Sequence, residues 1–580
     1  MKKLLTVLLA LVMVVTLTGC GSKKAANTPA AITYLYNTGS GHQAIAEYCQ
    51  GAWAQAGVDV SLENQEWATF LNTRKDGNYT VARNGWLGDF NDPISFLDMW
   101  TTESGNNDVQ FGRDAHKDVA IYSMDLTPYG YEKVENGTWA ETYDKLIGYI
   151  KTEVDQDKRF GMMHVAEDIL METGCLTPIY YYTDIYMLSD KISGFYCSPL
   201  GYKFFQNTTL SDGGTVLPVC IASEPDNIDP AFNSAVDGAT LDSHLFEGLA
   251  KLVEEDGKLV YVAACAEELP EGVANDDGTI TYTYTLRDGL KWSDGKELLA
   301  SDFEYAWKRA AATETAADYG YMFEAIKGYP DDLAVVADDA AKTLTVTLNN
   351  YTPYFTELLA FPTYFPVRED VVANEAWATD PSTFICNGPY MMTGWEHNSV
   401  ITLEKNPNYV DADSVTMPTL KFYLSDDDNA MLANYKNGDW LMIDSVPNAE
   451  IKTLQAEYPT EYYVGGQLGT YYICWNVNAD LLGSAGAELD AVTYQTEQAA
   501  VRKAFSLLLD RNYVVEEIGQ AGQLPASSFV ALGLTEPDGS EFYKNAGHES
   551  GYIGYYDVSP EALEANCAAA LEVINKYFAK

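Results

Sequence analysis

The sequence predicts a soluble globular protein of two to four domains in which strands and helices are mixed. The chain has 580 residues, which is enough for several hydrophobic cores. Apolar residues make up 47% of it and charged residues 21%, a composition typical of soluble proteins. A strand over Ala31–Thr38, a helix over Ser40–Gln55 and a strand over Val58–Leu62 follow one another directly near the start.

The charge balance excludes some partners. The formal net charge is −48, and such an acidic chain is repelled by nucleic acid and by anionic lipid. We therefore expect neither as a direct partner, and we interpret the acidity as a solubility device. The aromatic content of 13%, with 41 Tyr, suits core and sheet positions. It would equally suit a cleft that accepts mixed side chains.

The first thirty residues resemble a bacterial lipoprotein leader. Lys2 and Lys3 precede an apolar run over Leu4–Leu17, which is too short for a comfortable membrane span. The run ends in Leu-Thr-Gly-Cys, which resembles the lipobox, with the cysteine at Cys20. The resemblance implies a signal peptide over 1–19, a diacylglycerol on the Cys20 thiol and a flexible linker over 20–30.

Neither a metal nor a cofactor is expected. Eight cysteines follow Cys20 without any C-x-x-C pair, which favours small buried thiols over a disulfide scaffold. Six histidines without His-x-x-x-His spacing do not support a zinc site. Gly39-x-Gly41-x-x-Ala44 imitates a dinucleotide fingerprint, but the repeated parallel units of that fold are missing. His42 in this turn is interpreted, from the residues alone, as a helix-terminus residue.

The stretch over Asn64–Trp100 places charges in apolar surroundings. Arg74 follows Trp67, Phe70 and Leu71 at helical spacing, so it lies on the apolar face of a short helix. Tyr79–Trp86 then predicts a strand that contains Arg83 and leads into a loop with Asp89. Buried charges need partners. Two explanations stay open: these groups pair with one another, or they bind a ligand that carries both charges.

Several further segments resemble the peptide-binding proteins of bacterial oligopeptide ABC importers. The resemblance covers nearly the whole chain and is carried by SEPDNIDPAFNSAVDGATLDSHLFEGL from Ser223, LRDGLKWSDGKELLASDFEYAWKR from Leu286, NGPY from Asn387, LEKNP from Leu403, GTYY from Gly469 and VRKAFSLLLDRNYVVE from Val501. In that family the segments that resemble residues 31–210 would come last. The chain is therefore similar to the family in circularly permuted order, with Asn207–Gly214 as the linker between the family's usual ends.

The resemblance implies an α/β fold of the periplasmic-binding-protein type, with two lobes, an extra sub-domain and a hinge that closes over a peptide. The expected division is 186–236 plus 361–465 for lobe I, 237–360 for its additional sub-domain, and 31–185 plus 466–580 for lobe II. A helix over Ser559–Phe578 would lead, in the family's order, into the strand at Ala31. The permuted order places the lipid tether on the other lobe from the usual one.

The resemblance also implies a ligand site with seven residues. Asp89 matches the aspartate that pairs with the peptide ammonium, and Arg74 and Arg83 match arginines that meet the peptide carboxylate. The others are His42 for the carboxylate of longer peptides, Glu224 as an acid that pairs across the cleft on closure, and Gly85 and Trp86 along the ligand backbone. Leu87 replaces a cysteine of some relatives, so their disulfide is absent here.

The expected partners are an oligopeptide and ABC permease subunits, for a monomer anchored by lipid at the outer face of the cytoplasmic membrane. One alternative keeps the fold but binds a nickel complex, haem, an oligosaccharide or a signalling peptide. Another is an exported peptidase, which G-x-S-x-G and Walker motifs do not support because the sequence lacks both. We expect no enzymatic activity.

Overall fold

The computed structural model describes residues 27–113, 122–255, 258–545 and 554–578. The predicted signal peptide and the lipidation site Cys20 lie outside the described residues. In the described part of the chain, no helix is both long enough and apolar enough to cross a bilayer. The eight cysteines after Cys20 are free thiols, and six of them are buried.

Helices and strands alternate along most of the chain. The helices are α1 Ser40–Gln55, α2 Trp67–Lys75, α3 Ile94–Leu97, α4 Trp139–Thr152, α5 Gln156–Thr173, α6 Val236–Leu245, α7 Ala300–Ala311, α8 Phe355–Leu358, α9 Glu369–Val372, α10 Asp428–Asn437, α11 Ile451–Glu457, α12 Ala491–Leu507, α13 Arg511–Tyr513 and α14 Leu563–Tyr577.

The strands are β1 Ile32–Asn37, β2 Val60–Gln65, β3 Val81–Leu87, β4 Tyr122–Met124, β5 Val134–Gly137, β6 Leu176–Leu188, β7 Ile192–Ser193, β8 Tyr196–Cys197, β9 Lys203–Phe204, β10 Thr209–Leu210, β11 Val216–Ala222, β12 Ala250–Glu255, β13 Lys258–Ala263, β14 Val273–Ala274, β15 Ile280–Thr285, β16 Val335–Asp338, β17 Thr343–Leu348, β18 Tyr390–Glu396, β19 Val400–Lys405, β20 Thr419–Leu424, β21 Met442–Ile443, β22 Tyr462–Trp475 and β23 Leu524–Pro525.

One mixed sheet organises the molecule. Its strands lie in the order β18-β19-β20-β11-β21-β6-β22-β3-β1-β2, with β23 added beside β6. We call the half from β18 to β21 the β11 side, and the half from β3 to β2 the β1 side. The β1 side begins as predicted, because β1, α1 and β2 form a parallel unit in which Ile32 pairs with Val60.

Two long strands, β6 and β22, join the two sides. The end of β6 at Met187 and Leu188 pairs with β21, whereas Gly469–Trp475 of β22 pairs with β3. Between these ends the ladder of β22 with β6 breaks between Gly466 and Thr470. The cleft between the two sides of the sheet lies at this break.

One large core cluster includes residues of both sides, and a smaller cluster lies on each side. On the β1 side, α1, α12 and α14 cover the sheet through the buried side chains of Trp53, Trp475, Phe505 and Ile574. On the β11 side, α10 and α11 pack through Met431, Leu432 and Leu454. A second antiparallel sheet, in the order β14-β15-β17-β16, carries α7 and extends the β11 side. We call it the small sheet.

Candidate functional site

A cavity of about 410 Å³ lies in the cleft between the two sides. The β1 side lines it with Asp89, Arg83 and α2, and the β11 side lines it with Asp426 and Asp428. Six of the seven residues expected at the site lie on its wall, and they are His42, Arg74, Arg83, Gly85, Trp86 and Asp89. Glu224 is not among the residues that line it.

Asp89 is a buried carboxylate without a cationic partner. It follows β3 and is 9% exposed. The Tyr319 hydroxyl donates a hydrogen bond to Asp89 Oδ1 over 2.9 Å, and the Asp89 N–H donates to Ser95 Oγ over 2.7 Å. Among the described residues, no lysine, arginine or histidine forms an ion pair with it. Burial raises the pKa of Asp89 well above its usual value, against the lowering by the Tyr319 hydrogen bond. A ligand cation would relieve this desolvation.

Arg83 is a buried cation surrounded by aromatic rings. It lies in β3 and is 9% exposed. Its guanidinium lies 5.2 Å from the ring centroid of Tyr471 and 6.0 Å from that of Trp67, distances at which a cation is attracted to an aromatic face. Its Nε has no hydrogen-bond partner in the described part of the chain. No described carboxylate forms an ion pair with Arg83, so its charge is available to an anion.

Arg74 differs from Arg83 because it is already paired. Its Nε lies 2.8 Å from Asp108 Oδ2, and both side chains are buried. Asn84 Nδ2 donates a hydrogen bond to the same oxygen over 2.9 Å. Arg74 is therefore paired inside the protein, but with an acid beyond Asn64–Trp100 and not with another charge of that stretch. No pattern in the sequence indicated Asp108, which lies in an irregular segment without helix or strand periodicity.

His42 lies in the first turn of α1, near the Arg83 guanidinium. Its ring stacks on Tyr471 at a centroid distance of 5.7 Å, and Tyr471 Oη lies 3.4 Å from His42 Nδ1. Burial lowers the pKa of His42 well below its usual value, and Arg83 lowers it further. A neutral imidazole in this position can donate one hydrogen bond to a carboxylate, but adds no charge.

Gly85 and Trp86 form an open strand edge. β3 pairs with β22 over its whole length, whereas β1 pairs only with Val81 and Ala82. In the described structure, the backbone of β3 beyond Ala82 therefore has no strand on its cavity side. A Cβ on Gly85 would lie 2.1 Å from Tyr182 Oη, so this position has no room for a side chain. An extended ligand backbone can add to such an edge.

Glu224 does not pair across the cleft. Its Oε1 lies 2.6 Å from His397 Nδ1, and its Oε2 accepts the Asn398 N–H over 2.7 Å. All three residues belong to the β11 side, so this carboxylate is held within its own side. The prediction that it pairs with the opposite lobe on closure does not describe this arrangement.

Other residues bridge the two sides instead. Lys75 on α2 forms a short ion pair with Asp318 near the small sheet, and the Ser40 hydroxyl donates to Asp428 on α10. Lys151 Nζ lies 2.7 Å from Glu324 Oε2. These bridges were not predicted, because polar residues in turns and on helix faces give no sequence signal for a contact between distant segments.

The fold and the cleft define a class of protein. The family model of bacterial extracellular solute-binding proteins, family 5 Middle, matches residues 17–108 and 261–565, and the chain belongs to this family. Its fold is that of the periplasmic binding proteins, as the resemblance predicted. The murein tripeptide binding protein MppA of Escherichia coli superposes with a TM-score of 0.51 at 27% identity, over 62% of this chain and 66% of that one.

Two curated relatives are similar in sequence. The oligopeptide-binding protein OppA of Bacillus subtilis is 35% identical over 341 residues, which is 55% of this chain and 57% of that protein. The dipeptide-binding protein DppE of Bacillus subtilis is 33% identical over 349 residues, which is 58% of this chain and 59% of the relative. The chain thus aligns with less than two thirds of the length of either relative.

Proposed function

We propose that this chain captures oligopeptides in its cleft, outside the cytoplasm, and delivers them to an ABC importer. One observation carries the proposal. A single cavity is lined by the buried carboxylate of Asp89 and the buried guanidinium of Arg83, neither of which has an oppositely charged partner among the described residues. A free peptide carries the two complementary charges at its ends. The names of the two Bacillus relatives support the same ligand class.

In this proposal each group has one task. Asp89 pairs with the α-ammonium of the peptide, and Arg83 pairs with its carboxylate while neutral His42 donates a hydrogen bond. The ligand backbone runs along the open edge of β3 at Gly85. Arg74 keeps its pair with Asp108, which lines the same wall, so it is assigned no ion pair with the ligand. Closure desolvates both end charges, so a ligand that lacks one leaves a buried charge unpaired and binds poorly.

The test removes the Asp89 carboxylate and the charge of the peptide amine separately. Asp89→Ala should weaken binding of a free-amine peptide by about 2–5 kcal/mol, the usual cost of truncating one partner of a buried charge pair. Acetylation of the peptide amine should weaken binding to the unaltered protein similarly and should add little to the variant. Isothermal titration calorimetry measures all four combinations. Equal affinity of both proteins for the free-amine peptide would remove Asp89 from the site.

The same fold could hold a ligand other than a peptide. A nickel complex, haem or an oligosaccharide would not need two separated opposite charges in one cavity, so the Asp89 and Arg83 arrangement favours a zwitterion. Mass spectrometry of the compound that co-purifies with the protein distinguishes these ligands. The family is one of binding proteins, and the lack of peptidase activity in this chain stays a prediction, checked by peptide turnover in a purified sample.

The proposal includes the remaining predictions on placement and order. Export with a signal peptide over 1–19 and a lipid on Cys20 fits the extracellular family, and we propose a monomer with the lobe boundaries given above. The permuted order is supported by the position of the described ends. Asn27 Nδ2 donates a hydrogen bond to the carbonyl oxygen of Tyr577 over 2.5 Å, so the segment that leads into β1 lies beside the end of α14.

A further inference from the structure

A second and larger cavity begins where the cleft ends. It has a volume of about 700 Å³ and is bounded by the hairpin of β12 and β13 and by residues 409–415. Asp89, Leu200, Tyr202 and Phe361 line both cavities. The two cavities therefore meet at the carboxylate that we assign to the peptide ammonium.

The wall of this cavity includes the buried carboxylate of Glu247, whose two oxygens differ in their hydrogen bonds. Glu247 is 4% exposed, and its Oε2 accepts hydrogen bonds from Lys251 Nζ over 2.9 Å and from the Tyr409 hydroxyl. Its Oε1 is buried and has no hydrogen-bond partner in the described part of the chain. A buried carboxylate oxygen without a donor is costly, so this atom indicates a missing cationic or hydrogen-bonding group.

The charge balance of the cavity favours a cation. Glu357, Asp411 and Asp413 line it together with Glu247. Among the described lining residues, Lys251 is the one cation, and it is already held by Glu247 and by Asp411 Oδ2 at 3.5 Å. Glu357 uses Oε2 to accept the Asn91 N–H over 2.9 Å. Asp411 is also paired with Arg287, which lies outside the lining, at 2.6 Å. Glu357 and Asp413 form no ion pair with a described cation, and a neutral or anionic ligand would leave these two charges uncompensated.

Aromatic rings supply a large part of the remaining lining, beside aliphatic and uncharged polar side chains. The rings can cover an alkyl chain and attract the charge at its end, and they are Tyr202, Phe204, Phe246, Tyr261, Phe361, Phe365 and Tyr409. A long side chain with a terminal positive charge matches such a wall. A small inorganic cation would leave the aromatic surface unused.

We infer that this cavity is a specificity pocket for the side chain of the first peptide residue, and that it selects lysine or arginine. The inference rests on the proposed peptide-binding function. An ammonium held by Asp89 lies at the junction of the two cavities, and the first side chain branches from the carbon next to that nitrogen. The chain can therefore leave the cleft and pass along Tyr202 and Phe361 toward Glu247 and Glu357.

The test uses two peptides that differ only in their first residue, lysine or its uncharged analogue norleucine. The unaltered protein should bind the lysine peptide about tenfold more tightly in calorimetry. Glu357→Gln, which keeps an acceptor for the Asn91 N–H, and Glu247→Gln should each reduce this ratio to about threefold or less. Glu375→Gln removes one exposed carboxylate on the same side of the molecule and should leave the ratio unchanged.

A substitution that fills part of the cavity tests the same pocket without changing its charge. Val253 lines the cavity from β12 and is half-buried, so Val253→Trp should fill part of the space. The lysine preference should fall, while the norleucine peptide keeps the Asp89 contact. Equal affinities of the two peptides for the unaltered protein, or a ratio that survives all three cavity variants, would overturn the pocket assignment alone. Failure of both peptides to bind would instead overturn the proposed function.

Discussion

Arg74 and Arg83 lie on the same cavity wall, but only Arg74 has a carboxylate partner among the described residues. We therefore expect substitution of Arg74 to affect stability and substitution of Arg83 to affect binding. Arg74→Met would leave the buried carboxylate of Asp108 without its cation, so the free energy of unfolding should fall by about 3–5 kcal/mol. Arg83→Met removes a buried cation that has no carboxylate partner among the described residues, so it should cost little stability and should weaken peptide binding. Urea denaturation and calorimetry on both variants measure the two effects.

A double variant checks the first half of that prediction. Arg74→Met combined with Asp108→Asn removes both charges, so it should recover part of the stability lost in the single variant. Strong loss of stability in Arg83→Met would mean that its charge is satisfied within the fold and does not wait for a ligand.

Asp89 links peptide binding to proton release. Burial raises its pKa in the free protein, so the folded state binds a proton more tightly there than the unfolded chain does. Its contribution to stability is therefore full below the ordinary aspartate pKa and is lost as pH rises toward the raised value. A peptide ammonium lowers the pKa again, so binding should release a proton between the two values, and affinity should rise with pH across that window.

Calorimetry in phosphate and in Tris measures this release, because the two buffers differ in their enthalpy of protonation. The observed binding enthalpy should differ between them for the unaltered protein and should agree for Asp89→Asn. A buffer-independent enthalpy across the window would contradict the assignment of the ammonium to Asp89.

Helical spacing and strand pattern were enough to place Arg74 on a helix, Arg83 in the next strand and Asp89 in the loop that follows. Their common cleft was implied by the family resemblance. The sequence could not choose between an ion pair and a ligand site, because that depends on Asp108, more than twenty residues beyond Arg83 in a segment without periodicity. For Glu224 the prediction rested on the family resemblance and not on a residue pattern. The family resemblance suggested its role, but the turn at His397 and Asn398 brings a closer partner.

At the scale of elements, β3 combines two tasks in one strand. Its first residues are paired on both sides and anchor the sheet, whereas the later ones keep one edge open to the cavity. The strand was predicted from its apolar pattern, but its open edge was not. Which edges stay unpaired depends on the ends of β1, and strand ends are the least certain part of a pattern-based prediction.

Two glycine variants test that open edge. Gly85→Ala would place a methyl group 2.1 Å from Tyr182 Oη, so the ring must move into the cavity beside Arg83. Peptide affinity should fall by about tenfold or more, with a loss of stability of about 1–3 kcal/mol from overpacking. Gly466→Ala in β22 meets open space and is the control, with an expected gain of about 0.4–1 kcal/mol in the free energy of unfolding. Unchanged affinity in Gly85→Ala would mean that the ligand does not use this edge.

At the scale of the whole molecule, polar bridges join the two sides at several points of the cleft. Lys75 and Lys151 on the β1 side pair with carboxylates near the small sheet, and Tyr319 crosses the gap to Asp89. The composition predicted several domains, and the resemblance predicted two lobes. Neither could predict the bridges, because they join residues more than a hundred positions apart.

The proposed permutation makes a prediction about the order of the whole chain. A rearranged chain would begin at Ser211, pass from Lys580 through a short glycine-serine linker to Asn27, and end at Leu210. Residues 211–215 are all exposed and lie between β10 and β11, so the new opening follows the buried Leu210 but cuts no strand or helix. Asn27 contacts Tyr577, so the new joint is short. The rearranged protein should fold cooperatively, with a free energy of unfolding within about 2 kcal/mol of the present order, because moving a surface loop changes mainly the closure entropy.

A control chain has the same joint but is opened at Gly466. It shows whether the fold tolerates an opening anywhere or only in a surface loop. That opening cuts β22, which carries the ladder between β6 and β3, and it should prevent folding. Circular dichroism, urea denaturation and peptide calorimetry compare the three chains. If the chain opened at Ser211 failed to fold, the present order would be required by the fold itself, and the two surface positions would not be equivalent places for the ends of one architecture.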